Sequence, residues 1–390
     1  MSKDSDKKLP YVFHDTILLA ENRRQGEGEM LIMEKTFRLL VINPGSTSTK
    51  IAVYHNECQV FEKVLRHPAQ EIKKYPTIYD QLDFRKNVII DTLRNNDLSP
   101  DDFDAVVARG GNMKPVLGGT YRINRQMLQD LRIGIMGHHA SNLGAIIAYD
   151  IAGKSNIPSY VVDPVIVDEL EELARFSGLP EIQRKAKDHP LNQRAAARRA
   201  AAELGGEYKQ FNFLVAHMGG GISVGVHKKG RIIDVNNVLD GDGPFSPERA
   251  GGLPVGSLID LCYSGRYTRD EIRKKVVGGG GLVAYLGTND GREVIKMIEN
   301  GDRYAELVYR AMAYQASKEI GAGAAVLMGS VDAIVLTGGL ARDEVLVGWI
   351  KEKVSFIARV MVYPGEFEMS ALAEGAIRVL NGKEKAKNYI

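Results

Sequence analysis

The chain has 390 residues, 44% hydrophobic and 26% charged, which supplies apolar material for two packed domains and excludes disorder as its main feature. Lys and Arg total 51 against 49 Asp and Glu, and a net charge of +2 gives no field suited to nucleic acid or a membrane surface. The two cysteines, Cys58 and Cys262, support neither a disulfide framework nor a zinc site; both read as packing residues in a reducing cytosol.

No apolar run approaches the roughly 20 residues of a spanning helix, and the first segment lacks the apolar stretch of a signal peptide. The expected location is the cytoplasm. Glycine stands out at 41 residues, clustered in short runs between apolar strands.

Residues 1–33 are polar and poorly periodic and read as an N-terminal extension. Two readings stay open: a start at Met33 with a leader upstream, or an ordered surface extension. From Phe37 a buried strand runs to Asn43, enters the turn Pro44-Gly45-Ser46-Thr47-Ser48-Thr49, and returns as a second strand over Lys50–Tyr54. An amphipathic helix is predicted over 78–95. A short strand, Ala105–Ala108, ends at Arg109-Gly110-Gly111, helices follow near 124–133 and 141–153, and the strand Ser159–Val162 ends at Asp163-Pro164.

The second half opens with a helix from Pro190 to about Leu204 and repeats the first hairpin in outline. Asn212–His217 is a strand, Met218-Gly219-Gly220-Gly221 a turn, Ile222–His227 the returning strand, and Arg231–Val235 a third. Two similar hairpins indicate a duplicated core. Buried strands at Asp332–Thr337 and Arg359–Tyr363 enter Gly338-Gly339 and Pro364-Gly365-Glu366, and the alternation of strands and helices marks an α/β protein.

A strand ending in a turn of small residues exposes backbone N–H groups that bind anions. Either hairpin alone is more often just a tight turn. Two in a duplicated fold could face each other and hold successive phosphates of one nucleotide, with the backbone at Gly338 and Gly339 approached by the adenosine. Neither the Walker pattern nor the protein-kinase motif set is present.

Leu39-Leu-Val-Ile-Asn-Pro-Gly-Ser-Thr-Ser-Thr-Lys50, together with His217-Met-Gly-Gly-Gly-Ile-Ser223, resembles the acetate and butyrate kinases, from about residue 37 to the C-terminus. Val162-Asp-Pro-Val, Val235-Asn-Asn-Val-Leu-Asp, Gly243-Pro-Phe-Ser-Pro-Glu-Arg249-Ala-Gly and Leu286-Gly-Thr-Asn-Asp290 are similar to the butyrate kinase branch. The resemblance implies two duplicated ribonuclease-H-like (actin-like ATPase) domains around a cleft: 34–165 with 367–390 on the carboxylate side, and 166–366 on the nucleotide side. It implies ATP-dependent phosphorylation of a short-chain fatty acid such as butyrate or isobutyrate to its acyl phosphate, with ADP as product. It also implies Mg²⁺ and a homo-oligomer.

By motif position, Asn43 and Glu366 match magnesium-associated residues, and Lys50 with Ser46 and Thr47 matches part of the nucleotide site. Arg109 corresponds to the arginine that holds the substrate carboxylate. Asp163, His189 and Arg249 fall at catalytic positions, and His139 resembles an active-site histidine. His217, Gly219, Gly220 and Gly221 match a phosphate loop, Asp290 and Arg292 a nucleotide segment, and Gly338 and Gly339 the adenosine loop. The surroundings of His189 and Arg249 depart from the acetate kinase pattern. The alternatives are a sugar kinase or exopolyphosphatase of the same fold, or an ATP-binding regulator without turnover.

Overall fold

The computed structural model describes residues 35–390, and the expectations for residues 1–33 lie outside that range. Among the described residues twelve strands form two sheets. β1 (Arg38–Pro44), β2 (Ser48–His55), β3 (Cys58–Arg66), β4 (Ala105–Arg109), β5 (Thr120–Arg122), β6 (Ser159–Val162) and β12 (Lys387–Asn388) make the first, in the order β12-β5-β6-β4-β1-β2-β3. β7 (Asn212–Met218), β8 (Ile222–Lys228), β9 (Arg231–Val235), β10 (Ala333–Gly338) and β11 (Val360–Pro364) make the second, in the order β11-β10-β7-β8-β9.

The duplication is explicit in the pairings. β1 pairs antiparallel with β2 and β2 with β3, while β4 and then β6 continue the sheet in parallel. β7, β8 and β9 repeat the antiparallel meander, and β10 and β11 repeat the parallel pair. The parallel strands β4, β6 and β10 are almost entirely buried, as expected where helices cover both faces of a sheet. The antiparallel edge strand β3, Cys-Gln-Val-Phe-Glu-Lys-Val-Leu-Arg, is mostly exposed, and its charges suit an unpaired edge.

The helix Pro190–Glu203 starts with proline at its first position, where no N–H is needed. Its alanine-rich sequence has a structural reason. Leu191 and Ala195 pack with Leu39, Val41 and Val107 of the first sheet, whereas Ala196, Ala197, Ala200 and Ala201 pack with Phe213, Val215 and Val335 of the second. Small side chains let this one helix serve two cores. The C-terminal helix Glu368–Leu380 leaves the second sheet after β11 and packs on β1, β4 and β6 of the first.

Several features go beyond the sequence reading. β3 and the short strands β5 and β12 were not predicted, and neither was the long helix Arg303–Val326. The strand β10 runs through a single 3-10 turn, Gly339–Arg342, before the helix Glu344–Val354 begins with Asp343 as its cap. Both cysteines are exposed rather than packed: Cys58 opens the edge strand, and Cys262 ends the helix Val255–Cys262, none of whose residues is buried. Among the described residues no helix is long and apolar enough to cross a membrane.

Candidate active site

The carboxyl ends of the central strands carry the candidate side chains. Asn43, near the end of β1, donates from Nδ2 to Glu368 Oε2 at 2.7 Å, and Arg109, the last residue of β4, places Nη1 2.8 Å from Glu368 Oε1. Glu368 opens the C-terminal helix, so the return of the chain to the first sheet closes this three-residue cluster. Sequence reasoning named Glu366 and missed Glu368. The signal was there: two carboxylates separated by one residue at the start of a helix.

Arg109, Asp163, Asp188, His189 and Glu368 line a narrow crevice. A larger cavity of ≈ 900 Å³ is lined by Gly219, Gly220, Asp290, Arg292, Gly339 and Glu366, among others. It has the size of a nucleotide site. Glu366 and Glu368 belong to the walls of the two spaces, which puts the large cavity and the crevice on either side of one short segment.

The first turn is held from behind. Arg85, fully buried, donates to the carbonyls of Gly45 at 2.8 Å and Ser46 at 2.9 Å, and its Nε reaches Gln81 Oε1 at 3.0 Å. Ser46 and Thr47 therefore sit in a turn whose carbonyls are drawn toward a guanidinium. Lys50, cross-strand from Asn43, lies 3.6 Å from Glu62 on β3, and its charge reaches Glu366. In the second sheet, Gly338 ends β10 with φ +92°, and a Cβ there would lie 2.7 Å from the Met218 nitrogen at the end of β7. Only glycine lets β10 approach β7 this closely.

His217, at the end of β7, stacks on His189 with centroids 3.9 Å apart. Burial, with Arg109 nearby, pushes His217 down to about 4. Burial also holds His189 well below its ordinary value, with His217, Arg109 and Arg249 adding to it. His139 is lowered by burial and by Arg109 and Arg85, and its Nδ1 accepts from the Ser141 N–H at 3.2 Å.

Arg249 lies beside Glu248, with Nη1 3.3 Å from Oε2, and its Nε is buried with no hydrogen-bond partner. A buried, unpaired guanidinium N–H is a ready donor for an anionic oxygen. Asp290 caps the helix Gly291–Glu299 and binds Arg292 Nη2 at 2.5 Å on the cavity rim.

Asp163 is in a different state from a free carboxylate. It has φ +37°, accepts from the Gly119 N–H at 2.7 Å, and lies 3.5 Å from Arg194 Nε and 3.4 Å from Arg198 Nη1. Burial opposes its charge, but Arg194, Arg198 and Arg378 overcome that and hold the carboxyl below the ordinary range. Asp188, in contrast, is pushed up to about 7, first by burial.

Among the described residues no group of three or more His, Cys, Asp or Glu side chains forms a metal cage. The donor set nevertheless suits a cation carried in with polyphosphate, which takes only one or two protein ligands. Burial raises the Glu366 carboxyl and the neighbouring Glu368 raises it further, so a cation there would relieve both effects. Asn43 uses Nδ2 on Glu368, which leaves Oδ1 as its acceptor.

Two duplicated sheets, the glycine turn of the second on the wall of a nucleotide-sized cavity that neighbours an arginine–carboxylate cluster, define a phosphotransferase of the actin-like ATPase fold. Residues 183–356 match the acetokinase family. The chain is 55% identical over 353 residues to butyrate kinase 1 of Clostridium acetobutylicum, covering 90% of this chain and 99% of that protein. The chain belongs to the acetokinase family.

Solved structures agree on the fold. The acetate kinase of Porphyromonas gingivalis superposes with a TM-score of 0.71 at 20% identity, over 88% of this chain and 100% of that one. A propionate kinase from Francisella tularensis subsp. tularensis gives 0.69 at 18% identity, over 87% and 98%.

Proposed function

We propose that the protein is a butyrate kinase, transferring the γ-phosphoryl group of ATP to a short-chain carboxylate such as butyrate or isobutyrate, and reversibly from acyl phosphate to ADP. The observation that carries this reading is the Arg109–Glu368–Asn43 cluster beside the glycine-lined cavity. The 55% identity to butyrate kinase 1 supports the choice of acid.

The acceptor carboxylate has a pKa near 4 to 5 and is already ionised, so no base is required. Its obstacle is repulsion from polyphosphate, about 1 kcal/mol in water at ~4 Å but about 4 kcal/mol at a protein-like dielectric. Both contacts of Arg109 with Glu368 use Nη1, which leaves Nε and Nη2 to clamp a second carboxylate. Arg249 and His189 face the transferred group, and the glycine turn at Gly219–Gly221 receives the phosphates. Positioning and charge stabilisation suffice for a loose in-line transfer. Lys50, Ser46, Thr47, Asp290, Arg292, Gly338 and Gly339 complete the nucleotide side.

In this reading Asn43 and Glu366 would hold Mg²⁺, which supplies charge neutralisation at the phosphate oxygens when bound. Asp163, on the crevice wall, is proposed to act by fixing Arg194 and Arg198 of the helix behind it. A sugar kinase would need a free carboxylate base, and Asp163, bound by Gly119, Arg194 and Arg198, is already engaged.

The proposed domains are 34–165 with 367–390, and 166–366. Self-association is proposed through the exposed face Val255, Ile259 and Tyr263. The proposed setting is the cytoplasm, where two exposed thiols stay reduced. A panel of straight and branched acids from acetate to hexanoate, with ATP and Mg²⁺, tests the reading. ADP release should require the acid, peak at the four-carbon acids and stop with chelator; acid-independent ADP release would contradict it.

A further inference from the structure

The stacked pair His189 and His217 poses a question of proton placement. A neutral imidazole has one N–H and one bare nitrogen, so its use to an anion depends on which nitrogen holds the proton.

For His217 the answer comes from Asn192 on the helix Pro190–Glu203. The Phe367 backbone N–H can only donate, and it donates to Asn192 Oδ1 at 2.8 Å. That fixes the amide, with Nδ2 2.7 Å from His217 Nδ1 and 3.2 Å from Thr337 Oγ1. An amide NH₂ has no acceptor, so Nδ1 accepts and the ring proton sits on Nε2. Nε2 is the atom beside the glycine turn, since a Cβ on Gly219 would lie 3.3 Å from it.

For His189 the next residue, Gln193, does the same through one relay. Its Nε2 donates to Asp188 Oδ2 and to Ser223 Oγ, both at 3.0 Å. Its Oε1 accepts from His227 Nε2 at 2.9 Å, and the Tyr208 hydroxyl supplies His227 Nδ1 at 2.7 Å. Ser223 Oγ, accepting from Gln193, lies 2.9 Å from His189 Nδ1 with its own proton free to be given there. With that donation the imidazole proton is again left to Nε2.

We infer that Asn192 and Gln193, consecutive residues in the first turn of one helix, are positioning residues that commit His217 and His189 to the Nε2–H tautomer. The pair then offers two neutral donors, instead of two bare nitrogens, to a phosphoryl group in transfer. Neutral donors add hydrogen bonds without adding positive charge against Arg109 and Arg249, whose fields already oppose protonation of these rings. The purpose of this arrangement rests on the proposed phosphoryl transfer; the proton placement does not. Asn192 also binds the backbone of Phe367, which lies between Glu366 and Glu368, so one amide ties the glycine turn to both carboxylates.

Long-range ¹⁵N–¹H spectra of the full chain at neutral pH, assigned with single His→Gln variants, read the tautomers directly. Both rings should show a protonated Nε2 and a bare Nδ1; an Nδ1–H form or an imidazolium at either would overturn the inference. Asn192→Asp keeps the shape and the acceptor for Phe367 but offers His217 only acceptors. Its ring should move to Nδ1–H or gain a second proton, with turnover falling about 10²-fold and KM for the acid within about threefold of wild type. Wild-type turnover with a displaced His217 proton would also overturn the inference. Should Asn192→Asp fail to fold, the wild-type spectrum alone decides. Correct tautomers in a protein that makes no acyl phosphate would count against the proposed function and leave the proton placement standing.

Discussion

Glu368 and Arg109 are 259 residues apart in sequence and meet with Nη1 2.8 Å from Oε1. The pair is partly buried, with the arginine side chain 33% and the glutamate 19% exposed, so its role is orientation of the guanidinium more than stability. Glu368→Gln keeps an acceptor for Asn43 and removes the charge that holds Arg109. We expect kcat/KM for the acid to fall by about 10², measured by steady-state kinetics. An unchanged value would remove Glu368 from the site.

Arg249 carries a buried Nε without a partner, a donor positioned for an oxygen that the protein does not supply. Arg249→Ala should lower kcat by about 10² or more with KM for ATP little changed, because the lost interaction belongs to the transferring group. Arg109→Ala should instead act mainly through the acid. Near-normal kinetics in both variants would refute the assigned roles.

Gly338→Ala tests the close approach of β10 to β7. The residue has φ +92°, and the new methyl would meet the Met218 backbone rather than a flexible side chain. We expect a loss of about 2–4 kcal/mol, read by denaturant unfolding. A loss below about 1 kcal/mol would show that the strands separate easily.

His217 makes stability depend on pH. Its folded value, about 4, lies below its ordinary value of 6.5, so the unfolded chain takes up the proton first as pH falls. The contribution is fully present above the ordinary value and is lost as pH falls toward the folded one. Asp188, raised to about 7, works in the opposite direction over the same window, so the single-residue effect must be read as a difference. Relative to wild type, His217→Gln should gain about 2 kcal/mol on going from about pH 7.5 to about pH 5. Parallel stability curves would contradict the assigned shift.

Much of the fold was legible because it is written in buried strands. The hairpins at Asn43 and His217, the strands ending at Arg109, Asp163 and Gly338, and the helix from Pro190 all carry strong apolar patterns bounded by glycine or proline. β3 was not, because a solvent-facing edge strand such as Cys58–Arg66 has polar residues on both faces and no periodic signal. The exposed cysteines follow from the same limit: burial is set by what packs over a residue, and nothing local marks Cys58 as an edge position.

At the site, motif positions pointed to residues at or just past strand ends, such as Asn43, Arg109 and Gly219, whereas partners supplied by distant elements stayed hidden. Arg85 reads as one charge on an amphipathic helix, yet it is fully buried behind the first turn. Asn192 and Gln193 read as ordinary polar residues at a helix start. Their meaning lies in hydrogen bonds to β7, β8 and residue 367, which no local spacing reveals.

The most direct test of the central claim is to trap the product with hydroxylamine during turnover with ATP, Mg²⁺ and butyrate. Acyl phosphate reacts to a hydroxamate, so the account predicts hydroxamate and ADP in equal amounts. ADP formed without hydroxamate would show that the phosphoryl group goes to water or a hydroxyl, and the carboxylate assignment would fail.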